Sequence, residues 1–325
     1  MPVRLEEFKR SVQLQDPTLA GVVTVFQENA PILGEGRNLG YPLPALGFDN
    51  SPGGHVSYTR QKTLPGVKFR KVNEKVDATQ GETEKVFEEF GLITSKVTYD
   101  RAAVNRYGEN ALIQQQIMHI SAIARKWNHQ FYKGTKVADE SFSGLDKRIS
   151  GEQLIDNGGG ALDFVNLDEA LLTLTGDNRL IVMGRKMLSR ITRAAKFSVN
   201  VNYTPQTFGV SPATYDGVPI MLAGEDAAGD DVLGFDEDDD TTSIYLLSLG
   251  DNGVVGAQTK PIATYPLDAG NQIDSSFEFE WDSSFVIKNP RSAIRIKGIA
   301  NEAITPAALF FGQAGVGTGT GTTPP

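Results

Sequence analysis

Six apolar residues constrain the fold more than any other feature of the chain. Ile113, Ile117, Ile120, Ala124, Trp127 and Phe131 follow one another at steps of three and four. On a helix of 3.6 residues per turn they form a single apolar stripe. The spacing predicts a long helix from Asp100, a suitable N-cap, to Gly134, a suitable residue just past the end. Such a helix would span about 45–50 Å at ~1.5 Å per residue, with Gly108 a candidate bend in its first turns. His119 and His129 fall off the stripe, which points to a solvated or interface role and away from metal ligation.

The segments before this helix are of a different kind. Residues 1 to about 50 include "APILGEGRNLGYPLPALGFDNSPGG", too dense in Pro and Gly for a helix or a central strand. Yet they hold Ile32, Leu33, Leu39, Tyr41, Leu43, Leu46 and Phe48, so the segment reads as an extended arm that lies on another surface. Next, "HVSYTRQKTLPGVKFRKV" reads as a β-hairpin turning at Pro65-Gly66, with Val56 and Tyr58 on one side and Val67 and Phe69 on the other. Lys62, Lys68, Arg70 and Lys71 make this hairpin basic, which reads either as a solvated hairpin or as a projecting arm that meets an acidic partner surface. "VFEEFGLITSKVTY" reads as strand.

Beyond the long helix the pattern becomes mixed. "NLDEALLTLTG" reads as a helix opened by a capping-box spacing of Asn166 and Glu169. "RLIVMG" reads as a buried strand and "RKMLSRITRAAK" as a basic amphipathic helix. "YDGVPIMLAGE" is a turn followed by a strand. "SIYLLSLGDNGVVGAQT" reads as two strands joined at "GDNG" as a hairpin. "SSFEFEWDSSFVIKNPRSAIRIKGIA" supplies two more, with Phe277, Phe279 and Trp281 on one face by alternation. The tail "GQAGVGTGTGTTPP" is low-complexity.

Composition removes most chemistry. Among 325 residues there is no cysteine, which excludes disulfides, thiolate metal sites and Cys nucleophiles. The three histidines, His55, His119 and His129, have no metal-ligand spacing. A net charge of −9 gains no counterion-release affinity for nucleic acid. No apolar run reaches the ~18–20 residues of a membrane span, and no signal-peptide pattern opens the chain. No P-loop and no Gly-x-Ser-x-Gly elbow occurs. The expectation is a protein without enzymatic activity or cofactor, residing in a cytoplasm or in something assembled there.

One run needs separate weighing. "GFDEDDDTTSIYLLSLG" holds five consecutive carboxylates, Asp236 to Asp240. Metal sites draw carboxylates from separate elements, whereas successive residues on one segment point in different directions. The run reads as a solvated loop, with Asp236, Asp238 and Asp240 as candidates for weak cation binding and no catalytic site.

The order of elements is informative where single motifs are not. An extended arm, a basic hairpin, a strand, a long lone helix, a compact α/β region and a return to strand follow in sequence. With "FSGLDKRIS", "LIVMGRKMLSRI", "YDGVPIMLAGE", "SIYLLSLGDNGVVG" and "FEFEWDSSFVIKNPRSAIRIKGI", the chain resembles the major capsid proteins of tailed bacteriophages. Their fold is the Hong Kong ninety-seven type, which encapsulins share. The resemblance implies an α+β chain in named parts. These are an N-terminal arm (1–50), an extended hairpin or E-loop (51–85), and a peripheral domain (86–149 and 271–312). The peripheral domain carries a spine helix at about 100–133; an axial domain (150–270) and a flexible tail (313–325) complete the chain.

It further implies assembly contacts by Lys62, Lys68, Arg70 and Lys71, and spine-helix packing by Ile113, Ile117, Ile120, Trp127 and Phe131. The implied partners are copies of the chain in pentamers and hexamers around double-stranded DNA, bound without sequence specificity. A separate scaffolding protein, a portal and a decoration protein would join them, in a virion assembled in the host cytoplasm. Some relatives join subunits through a Lys–Asn bond. Lys62, Lys68, Lys71, Asn289 and Asn301 show no spacing that identifies it, and it is not expected. The competing readings are an encapsulin-like compartment shell and a metal-dependent enzyme built on Asp236–Asp240.

Overall fold

The computed structural model describes residues 29–33, 45–100, 102, 106, 109–137, 140–195, 214–267 and 274–304. Most of the expected N-terminal arm and all of the tail lie outside them. In chain order, β1 (Phe48–Asn50), β2 (His55–Thr63), β3 (Glu82–Glu89) and β4 (Gly91–Asp100) lead to the helix α1 (Glu109–Lys133). The middle holds α2 (Leu145–Arg148), β5 (Leu154–Asp156), α3 (Phe164–Thr173), β6 (Arg179–Met183) and α4 (Arg185–Ala195). Then come β7 (Thr214–Tyr215), β8 (Val218–Leu222), β9 (Thr241–Ser248), β10 (Val254–Gln258), β11 (Ala263–Leu267), β12 (Asp274–Ile287) and β13 (Ala293–Ala300).

The described strands form three sheets. One has the order β1-β10-β12-β11, with β4 on the other edge of β12. A second has the order β5-β13-β9-β6-β8-β7, and β2 and β3 pair only with each other. Along β12, Phe279, Trp281, Ser283 and Phe285 turn inward and are buried. Their partner is α1. Trp127 of the helix is fully buried, packs 5.5 Å from Trp281, and donates its indole N–H to Ser283 Oγ at 3.1 Å. Each aromatic so buried contributes about 1.5–3 kcal/mol relative to leaving it in water.

The six-stranded sheet is covered on both sides. Leu180, Val182, Tyr245 and Leu247 share the cluster that contains α1, whereas Ile181, Met183, Ile244 and Leu246 pack under α3 and α4. All eight residues of β9 are buried for this reason.

α1 is described continuously from Glu109 to Lys133, about 37 Å, and Ala102 and Arg106 before it are helical too. Asp100 is the last residue of β4, paired with Asp274, and its Oδ1 accepts the N–H of Ala102, a helical residue, at 2.7 Å, as an N-cap does. Gly108 lies outside the described residues. Gly134 does end the helix, and a side chain there would collide with the Gln130 carbonyl. Other expectations are corrected.

The second helix is capped by Asp163, whose carboxylate accepts the Val165 N–H; Asn166 sits inside the first turn. Asp216 and Gly217 make the expected turn between β7 and β8, at φ 47° and 76°. "GDNG" does not close a hairpin. β9 has β6 and β13 on its two edges, and β10 has β1 and β12, so the loop carries the chain from one sheet to the other. The same crossing recurs between β12 and β13 at residues 288–292.

β10 and β11, from the 150–270 stretch, pair in the sheet of β4 and β12, and β13, from the 271–312 stretch, pairs in the sheet of β9. Strand-pairing partners, which sequence order does not specify, decide both.

Candidate assembly interface

The two-stranded sheet is an arm. β2 and β3 pair from His55↔Glu89 outward to Thr63↔Glu82. Its root rests on the five-stranded sheet, where Val56 and Tyr58 pack on Phe90, Val255, Ala257 and Val286. Tyr58 donates its hydroxyl to the Ile287 carbonyl at 3.3 Å and accepts from Arg60 at 2.7 Å. Burial pushes the Tyr58 phenol up from its ordinary value.

Arg148 is the second anchor. Its guanidinium lies 3.2 Å from Glu88 on β3, donates to the Phe285 and Ser143 carbonyls, and covers the Phe285 ring at 4.1 Å. Burial lowers its pKa, and Glu88 opposes that shift. No sequence signal joined Arg148 to this arm.

The far end differs from the expected turn at Pro65-Gly66. The chain runs past it without ladder bonds and reverses at Lys71–Glu74. There the Glu74 N–H reaches the Lys71 carbonyl at 3.1 Å and Asn73 takes φ 68°. Asn tolerates that left-handed conformation, whereas Pro65 has no N–H to extend the ladder. Around this turn the large side chains are in water: Val67 is 93% exposed, Phe69 107% and Val72 90%. Leu64 and Val76 are exposed too.

The four expected contact cations are all on this arm. Lys62 pairs with Glu82 at 3.5 Å and Lys68 with Glu74 at 3.9 Å. Arg70 donates to the Glu74 carbonyl, and the Lys71 backbone N–H to the Glu74 carboxylate. Such exposed pairs contribute about 0–1 kcal/mol each.

Of the expected helix stripe, Ile120, Trp127 and Phe131 are buried and Ile117 is partly so. The Ile113 side chain is outside the described residues. Asn128, which the stripe omitted, is buried and donates to the Ala223 carbonyl at 2.6 Å. His119 is partly buried, hydrogen-bonded to Ser95 at 2.6 Å and stacked on Phe279. Burial, with Lys126 and Lys133 beside it, lowers the pKa of His129.

The acidic run corrects the solvated-loop expectation in part. Asp236, Asp238 and Asp240 are exposed. Asp236 meets Lys133, in the last turn of α1, at 2.7 Å. Glu237 turns inward instead. Its Oε2 accepts from Ser243 at 2.6 Å and from Arg295 at 3.0 Å. Arg295 also donates to Ser243 and to the Asp146 carbonyl. Asp238 to Asp240 form a single 3-10 turn. Asp236 and Glu237 thus turn to different partners, and among the described residues no three His, Cys, Asp or Glu side chains are grouped to hold a metal. No helix among them is long and apolar enough to cross a membrane.

This architecture is the Hong Kong ninety-seven-type capsid fold. The capsid of a native GTA particle matches with TM-score 0.57 at 10% identity, over 78% of this chain and 88% of that one. The SrpI encapsulin of Synechococcus elongatus matches with TM-score 0.56 at 13% identity, over 80% and 88%. A chain of Mycobacterium phage Bobi matches with TM-score 0.55 at 10% identity, over 77% and 87%. In sequence, residues 48–167 match the family model of Major capsid protein GP7. No curated protein matches the chain by sequence. The matched stretch contains the whole arm, its Arg148 anchor and α1.

Proposed function

We propose that the chain is a major capsid protein, a coat subunit whose copies close into an icosahedral shell around the double-stranded DNA of a tailed phage. The observation that carries this is the arm. Its tip exposes Leu64, Val67, Phe69 and Val72 to water, while its root is fixed by Tyr58 and Arg148. An apolar tip on an anchored two-stranded arm is stable where a neighbouring copy covers it.

In this reading the arm is the E-loop, α1 is the spine helix and the sheet of β12 forms the peripheral domain. The sheet of β9, with α3 and α4, forms the axial domain that gathers into pentamers and hexamers. The role is structural rather than enzymatic. A net charge of −9 repels packaged DNA mildly and keeps it mobile. Scaffolding, portal and decoration proteins would be separate partners, with assembly in the host cytoplasm and residence in the virion.

A compartment shell is the second reading, favoured by the likeness to an encapsulin; the phage reading has the family-model match in addition. Electron microscopy of the purified protein, followed by nuclease treatment, separates them. Closed shells that protect DNA support the phage reading. Shells filled with protein support the compartment. A protein that stays monomeric at every concentration overturns both.

A further inference from the structure

α3 and α4 pack on one face of the six-stranded sheet, and each turns a stripe away from it. On α3 that stripe is Val165, Asp168, Glu169 and Leu172, at positions i, i+3, i+4 and i+7. Both carboxylates are exposed, Val165 is 54% exposed and Leu172 88%. On α4 the same spacing gives Lys186, Arg190 and Arg193. Lys186 and Arg193 are exposed, and Arg190 lies 5.6 Å over the Phe235 ring. One helix carries negative charge between two apolar side chains. The other carries positive charge on long alkyl stems, in a chain whose net charge is −9.

Within one copy these charges do not meet. Asp168 accepts the Tyr215 hydroxyl at 2.6 Å. Among the described residues neither Asp168 nor Glu169 pairs with a cation, and neither Lys186 nor Arg193 with a carboxylate.

We propose that the basic stripe of α4 in one copy docks on the acidic and apolar stripe of α3 in the next. The partner is a second copy of this chain, and the argument is charge complementarity at matched spacing. It rests on the shell reading above. The two stripes are different surfaces of one subunit, so the contact pairs unlike surfaces of two copies, and a rotation axis relating the copies closes it. The stems of Lys186 and Arg193 cover Leu172 and Val165 while their heads reach Asp168 and Glu169. Being at the surface, the contact weakens as salt rises.

The test uses Glu169→Lys, Arg193→Glu and the two combined in one chain, all at exposed positions. Assembly is followed by sedimentation velocity and electron microscopy at low and high salt, with thermal melting as the folding control. Each single reversal is expected to lower the assembled fraction at least tenfold at low salt with melting unchanged, and the combined variant to recover it. Single variants that assemble like the wild type overturn the proposal. So does a folded combined variant that assembles no better than either single one. A wild type that never assembles overturns the shell reading itself, and this interface with it.

Discussion

The guanidinium of Arg295 lies 3.0 Å from the carboxylate of Glu237, and both side chains are largely withdrawn from water, at 15% and 14% exposure. The pair ties the acidic run to the last strand. Glu237→Ala leaves Arg295 buried without its counter-ion, which costs about 3–5 kcal/mol. Glu237→Leu with Arg295→Met should recover most of that loss. Chemical denaturation of the two variants checks this, and a loss under 1 kcal/mol for Glu237→Ala would show the pair to be dispensable.

Trp127 is enclosed by Phe131, Phe142, Phe48 and Trp281. Trp127→Ala should cost about 3–5 kcal/mol, the usual range for a buried aromatic. Met118 is 61% exposed on the same helix, and Met118→Ala should change the denaturation midpoint little.

Stability should fall on mild acidification. The pKa of His129 is lowered from 6.5 in the folded state, chiefly by burial. The unfolded chain therefore takes up its proton first, and the contribution of this group is complete above pH 6.5 and lost as pH falls through the folded value. Glu89, lowered from 4.5 by its hydrogen bond to Lys136, acts the same way at lower pH. Melting temperature against pH should slope downward below 6.5, and His129→Gln should flatten that part of the curve. An unchanged slope in His129→Gln would assign it to other groups.

Arg148→Met should loosen the arm without unfolding the body. It removes the Glu88 pair and the hydrogen bonds to Ser143 and Phe285, while keeping apolar volume over the ring. Hydrogen exchange over residues 55–89 should speed up, with α1 unaffected. Equal acceleration in α1 would mean that Arg148 supports the whole core.

The parts legible in the sequence are those written by local periodicity. The stripe of Ile120, Trp127 and Phe131, the alternation of Phe277, Phe279 and Trp281, and the turn at Asp216-Gly217 need only neighbours a few residues apart. What remained unread depends on distant partners. "GDNG" has the composition of a hairpin, yet both edges of β9 are occupied by β6 and β13. Pro65-Gly66 looks like a turn, but the less conspicuous Asn73 makes it. Glu237 sits in a run of like charges, and Ser243 together with Arg295, 58 residues later, draws it inward. The first strand of the arm was legible around Val56 and Tyr58, but its partner is the glutamate-rich Glu82–Glu89 and not the stretch of Val67 and Phe69. The anchor Arg148 was not legible, because it comes from beyond the long helix.

The central claim is that the exposed tip of the arm holds neighbouring copies together. Sedimentation velocity of the wild type beside Val67→Ser/Phe69→Ser tests it most directly. Both side chains are in water in the single copy, so the variant should melt like the wild type within about 0.5 kcal/mol. The account predicts closed particles for the wild type and unassembled subunits for the variant. Identical particles from both proteins, or monomers from both, would contradict it.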